Sequence, residues 1–210
     1  MTDNDKTARL GAAYTATRPE EIAQIYDAWA ESYDADMAKV GYRHPAICLA
    51  HLARHVAKGE GPVLDAGCGT GLIGEWLAIC GYRDAHGLDL SEGMLKMATG
   101  KQVYASLTRA ALGTALPFPD HHFAAIVSAG VFTTGHVGAE GLDDLLRICR
   151  PGGVIVLTVK DGLWQGGFSA RVAALEAAGR LTLTDDTGPY VSMPGEAGTA
   201  PSRCVTMRVC

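Results

Sequence analysis

Apolar positions along this chain fall into two rhythms that alternate. Short unbroken runs predict buried strands: Val63-Leu64-Asp65-Ala66, Asp84-Ala85-His86-Gly87-Leu88-Asp89, Phe123-Ala124-Ala125-Ile126-Val127-Ser128 and Val154-Ile155-Val156-Leu157-Thr158-Val159. Between them, helical spacing predicts helices over Leu72–Ile79, onward from Leu90-Ser91, over Leu142, Leu145, Leu146 and Cys149, and from Phe168 to Ala178. The run at 154–159 lacks any polar alternation, which places it centrally, covered on both faces. Lys101 to Leu112 is ambiguous, and Thr108–Leu112 is read as the third strand. Leu181-Thr182-Leu183 and Val205–Val209 read as two late strands, separated by a Gly/Pro-rich excursion over 188–201. Strands alternating with helices predict an α/β, doubly wound, mostly parallel sheet.

Ahead of this stands a different segment. Residues 1–16 are small and polar without a period, and are expected to be disordered. Thr17-Arg18-Pro19-Glu20 reads as a capping box with proline in the first turn. Ile22, Ile25, Tyr26, Trp29, Ala30, Tyr33 and Met37 then form one apolar stripe. That helix packs on the sheet or, at its aromatic end, covers a ligand, with Tyr33 as the residue to reach it. A second helix spans Pro45 to Ala57 on the face of Leu49, Leu52, Ala53 and Val56. The division is thus a helical lid over 1–58 and an α/β domain over 59–210. His44, His51 and His55 read as solvated or satisfied in place; His51 and His55 stand four apart but have no evident further metal ligand.

The candidate chemistry sits where the first strand ends. Asp65-Ala66-Gly67-Cys68-Gly69-Thr70-Gly71 is a glycine turn leading into a helix. Such a turn lets a ligand lie against bare backbone, beside the unpaired N–H groups of the helix start. Counted from Gly67, a dinucleotide G-x-G-x-x-G fails at Leu72; counted from Gly69 it succeeds with Gly71 and Gly74, so a nicotinamide cofactor stays open. Asp65 weighs the other way, because an acid there suits a ligand carrying an ammonium group. Asp89 ends the second strand about 20 residues on, where a ribose diol is held in such folds. Ser91 is the better cap of the next helix, which frees Asp89, while Leu90 and Met94 could flank an adenine. Ser128 ends the fourth strand at the edge of the cleft.

Composition narrows the partners. The chain has 210 residues, 48% hydrophobic and 20% charged, with a net charge of -5. It contains no basic block, which argues against nucleic acid. No apolar leader and no run of about 20 apolar residues is present, so no membrane span is expected and a cytoplasmic location is. Cys48, Cys68, Cys80, Cys149, Cys204 and Cys210 form no C-x-x-C, and read as free thiols in a reducing compartment rather than as metal ligands.

The D-x-G-x-G-x-G of Asp65–Gly71 resembles motif I of the class I S-adenosylmethionine (SAM)-dependent methyltransferases. Leu116-Pro117-Phe118-Pro119-Asp120 and Arg150-Pro151-Gly152-Gly153, each ahead of a strand, are similar to later motifs of that class. Tyr26-Asp27-x-Trp29-Ala30-x-x-Tyr33-Asp34 resembles the N-terminal segment of its small-molecule branch. Together with His86-Gly87-Leu88-Asp89 and Gly93-Met94-Leu95, the pattern is most similar to the Williams–Beuren syndrome critical-region methyltransferase-like family. The resemblance implies a Rossmann-like sheet of seven strands with the last antiparallel. It also implies SAM as cofactor, with Gly67, Cys68 and Gly69 along its methionine and ribose, Asp89 on the ribose hydroxyls, and Leu90 and Met94 on adenine. Two positions depart from the family. Leu112 stands where many relatives carry an acid for the adenine amino group, leaving only backbone atoms, and Ala124 replaces the acid of Phe-Asp.

Methyl transfer to a small molecule is therefore the leading expectation. A positioned base helps when the acceptor is a hydroxyl or amine, and His136 is the candidate; Trp164 and Tyr190 could line an acceptor pocket. A nicotinamide-dependent oxidoreductase and a SAM-binding module without catalysis are the alternatives. The oligomeric state and the acceptor are unreadable.

Overall fold

The computed structural model describes residues 18–133 and 137–210. The expected disorder of residues 1–16, the cap at Thr17, and His136 lie outside the described residues. Seven strands form one sheet: β1 Val63–Ala66, β2 Ala85–Asp89, β3 Ser106–Arg109, β4 Phe123–Phe132, β5 Cys149–Lys160, β6 Leu181–Asp186 and β7 Ser202–Val209, in the order β3-β2-β1-β4-β5-β7-β6. β1 to β5 pair in parallel, and β7 runs antiparallel between β5 and β6. This is the Rossmann-like architecture the sequence leads one to expect. Strand order reverses beside β1, so a crevice opens past the carboxyl ends of β1 and β4.

The helices are α1 Pro19–Lys39, α2 His44–His55, α3 Leu72–Cys80, α4 Glu92–Lys101, α5 Gly141–Ile148 and α6 Ser169–Ala177. Alternate residues of the central strands feed opposite layers. Ile126, Ile155 and Leu157 pack with Leu142 and Leu145 of α5 and Val172 of α6. Ala125, Val127, Val154 and Val156 pack with Cys48 and Leu52 of α2 and Ile73 and Leu77 of α3. Both faces are covered, which is why these strands read as unbroken apolar runs. α1 has a separate, smaller cluster, in which Trp29, Met37 and Val40 meet Met193. None of the described helices is long and apolar enough to cross a membrane.

Several boundaries differ from the sequence reading. The third strand begins at Ser106 and ends at Arg109, so Leu112 lies in the following turn. Ala105 N–H bonds Ala85 O, and Ala110 N–H bonds Asp89 O, which brackets the ladder two residues early. β4 continues past Ser128 to Phe132 through an irregular register, with Gly130 at φ +77°. β5 begins at Cys149, so Pro151-Gly152-Gly153 lies inside the strand at a register shift rather than ahead of it. The N-cap of α1 is Arg18, with no side-chain cap; its guanidinium bonds Glu21 Oε1 at 3.0 Å instead.

Candidate functional site

The glycine turn is tied to the neighbouring strand before any ligand is considered. Gly67 and Cys68 N–H both donate to Leu88 O, at 2.7 and 2.9 Å. Gly67 sits at φ +81°, and a Cβ there would fall 2.2 Å from Val131 Cγ2. A side chain there would be strained and would have to displace Val131. Gly74 has a different reason. A Cβ on it would fall 2.4 Å from the Tyr104 ring, and the Tyr104 hydroxyl donates to Asp65 Oδ2 at 2.6 Å. The glycine pattern that kept a dinucleotide open thus ends in the seat of a tyrosine. Nothing in the local sequence marks Tyr104 for this place. Its role depends on a partner 39 residues away.

Asp65 lies at the base of the turn, 1% exposed, and its Oδ1 has no hydrogen-bond partner. Burial pushes its carboxyl up to about 7; the Tyr104 bond pulls it down and the nearby Asp89 charge pushes it up. An isolated buried carboxylate is costly unless a cation or donor meets it. The hollow beside it is lined by Tyr33, Tyr42, Cys68, Gly69 and Thr70. Asp89 stands at the end of β2. Its Oδ2 accepts from Gly69 N–H at 2.8 Å and its Oδ1 from Ser91 N–H at 2.9 Å. Burial raises its pKa, and these backbone donors oppose the rise. Ser91 caps α4, its Oγ accepting from Met94 N–H at 3.0 Å.

A larger cleft of about 850 Å³, including its open mouth, adjoins this hollow and shares Tyr33, Gly67, Gly69 and Ala129 with it. Asp89, Leu90, Met94 and Leu112 line it, as does the inner face of α1 at Ile22 and Tyr26. Nine of the residues singled out from sequence therefore meet around one continuous space: Tyr33, Asp65, Gly67, Cys68, Gly69, Asp89, Leu90, Met94 and Leu112.

Ser128 does not join them. It is fully buried and donates to Ala66 O at 2.6 Å, because β4 runs on and presents Ala129, Gly130 and Val131 to the cleft instead. Trp164 is also elsewhere, buried under the Arg203 guanidinium at 4.7 Å and beside Phe168. Tyr190 bonds His44 Nδ1 through its hydroxyl at 2.7 Å, outside the linings of both spaces. Burial and the Lys160 charge push His44 down to about 3, so it is neutral. His51 is bonded to Thr206 Oγ1 at 3.0 Å. Among the described residues no group of three or more His, Cys, Asp or Glu is placed to hold a metal. No Lys, Arg or His is among the described residues lining either space.

Comparisons with known proteins bear on the family and the fold. A family model described as a methyltransferase domain matches residues 64–157. Methyltransferase-like protein 27 of Homo sapiens is 32% identical over 182 residues, covering 82% of this chain and 73% of that protein. The demethylmenaquinone methyltransferase of Renibacterium salmoninarum is 32% identical over 142 residues, which span 67% of this chain and 59% of that protein. Among solved structures, a TehB-like SAM-dependent methyltransferase from Corynebacterium glutamicum superposes with a TM-score of 0.61 at 23% identity, covering 87% of this chain and 99% of the other. The [4+2]-cyclase SpnF superposes at 0.70 with 17% identity over 92% and 97%, a likeness of fold alone. By its likeness to methyltransferase-like protein 27 over most of both chains, and by its fold, the chain belongs to the class I SAM-dependent methyltransferases.

Proposed function

We propose that the chain transfers a methyl group from SAM to a small molecule whose body is apolar and uncharged. The observation that carries the reading is the unpartnered, buried Oδ1 of Asp65 beside the glycine turn. An amino-acid ammonium group would satisfy it; a pyrophosphate would add negative charge next to it. In this reading Asp65 holds the ammonium, and Gly67, Cys68 and Gly69 border the methionine and ribose. Asp89 accepts from the ribose hydroxyls, while Leu90 and Met94 cover adenine. The turn at Ala111 and Leu112 offers backbone atoms to the adenine amino group, in place of the acid that many relatives have there.

SAM supplies a sulfonium-activated methyl group, so the protein has mainly to align the acceptor and exclude water. Tyr26, Tyr33 and Ile22 of α1, with Val131 and Val137, give the cleft the apolar walls for this. Among the described residues of those linings there is no cation to compensate a carboxylate or phosphate on the acceptor. The demethylmenaquinone methyltransferases among the relatives accord with an apolar acceptor. Calorimetric titration with SAM, S-adenosylhomocysteine and NAD(H) tests the cofactor. Saturable SAM binding is expected, weakened at least about tenfold (about 1.4 kcal/mol) by Asp89→Ala. Binding of NAD(H) with none of SAM would overturn the reading.

A further inference from the structure

Two of the acids of α1 fasten it to the walls of the cleft. Asp27 and Asp34 stand seven residues apart, two helical turns, and so share a face of α1. Tyr26 and Tyr33, their neighbours in sequence, line the cleft. Asp27 Oδ1 accepts from Ser91 Oγ at 2.5 Å and from Gly93 N–H at 2.8 Å. Ser91 is fully buried and gives its own N–H to Asp89, so one residue links α1 to the acid assigned to the ribose. Asp34 Oδ1 accepts from the hydroxyl of Thr70, which is buried inside the glycine turn, and Asp34 Oδ2 pairs with Lys101 Nζ at 2.7 Å. Lys101 in turn pairs with Glu75 at 2.6 Å.

Both fastenings join α1 to elements that bound the cofactor space, and each ends on an acidic side chain of α1. The sequence of α4 is fitted to the first of them. A Cβ on Gly93 would lie 2.9 Å from Asp27 Cα and 3.1 Å from Asp27 O, which are backbone atoms that cannot turn aside. α1 reaches this position only because residue 93 has no side chain.

We propose that Asp27 and Asp34 are positioning residues that clasp α1 over the cleft, so that opening of α1 limits exchange of the cofactor and its demethylated product. The inference rests on the reading that the cleft takes SAM. Its test is the dissociation rate of S-adenosylhomocysteine, measured by stopped-flow displacement with excess SAM, for wild type, the double variant Asp27→Ala/Asp34→Ala, and Gly93→Ala. All three substitutions raise intrinsic helix propensity, so faster release cannot come from weakened helices. Release at least about tenfold faster is expected in both variants. Amide exchange in α1 of the bound protein should quicken as well, with β4 and β5 unchanged, a pattern that general loss of stability does not produce. Should the double variant not fold, Gly93→Ala decides alone. A wild type that binds no S-adenosylhomocysteine brings down the functional reading and the clasp with it. A wild type that binds it, with release within about twofold in Gly93→Ala and in any folded double variant, overturns the clasp alone.

Discussion

Asp65 holds its proton into the neutral range because burial outweighs its single hydrogen bond to Tyr104. Its carboxyl stands at about 7 in the folded chain, against about 4 when unfolded. Between those values the folded state binds more protons, so the stability this group contributes is full below about pH 4 and is lost as pH rises toward 7. A shift of about three units corresponds to about 4 kcal/mol. Asp65→Asn carries no such charge. The stability of the variant relative to wild type should therefore climb by up to about 4 kcal/mol between about pH 4 and 7, read by urea unfolding without ligand. Equal pH profiles would show that Asp65 titrates normally. A bound ammonium reverses the balance by favouring the carboxylate. SAM binding at about pH 6 should then release up to about one proton, seen as a buffer-dependent binding enthalpy, and Asp65→Asn should release none.

At the scale of elements, what was legible followed from periodicity and turn chemistry. β1, β4 and β5 declared themselves because both faces are covered, and the cap of α4 was readable because Ser91 acts on a residue three positions away. Asp65, Gly67 and Asp89 were readable as neighbours because a parallel sheet brings adjacent strand ends together. β3 starts two residues and ends three residues before the expected Thr108–Leu112, because Ser106–Arg109 is short, half exposed and without a clear apolar alternation. The chain gives no local sign that β4 continues through Gly130, which leaves Ser128 buried in the sheet and off the cleft lining. Tyr104 and Gly74 were hidden for a different reason: each makes sense only against the other, across the gap between α3 and the approach to β3. Gly74→Ala tests that fit. Its Cβ would fall 2.4 Å from the Tyr104 ring, so the ring must move off Asp65. An alanine inside a helix would ordinarily stabilise it; here overpacking should cost about 1–3 kcal/mol by chemical denaturation. Stabilisation instead would mean that Tyr104 is free to move aside.

At the scale of the whole molecule, cohesion is uneven. α2 shares a core with the sheet through Cys48, Leu52 and Val56, whereas α1 rests on the small cluster of Trp29, Met37, Val40 and Met193 and on the bonds of Asp27 and Asp34. The expected lid over 1–58 thus contains one helix built into the sheet layer and one fastened to it. Local opening follows such differences, because segments with few buried apolar contacts open at less than the global free energy. Native-state hydrogen exchange should find α1 amides opening well before those of β4 and β5. SAM at about a hundred times its Kd adds about 2.7 kcal/mol to any opening that releases it. If α1 opening and cofactor release are one event, SAM should raise the opening free energy of α1 by close to that whole amount, and the melting temperature by about 5–10 °C. Protection of β4 and β5 with none in α1 would mean that the cofactor is held from the sheet side alone. Equal opening energies for α1 and β5 without ligand would mean that the molecule unfolds as one unit, with no separate lid.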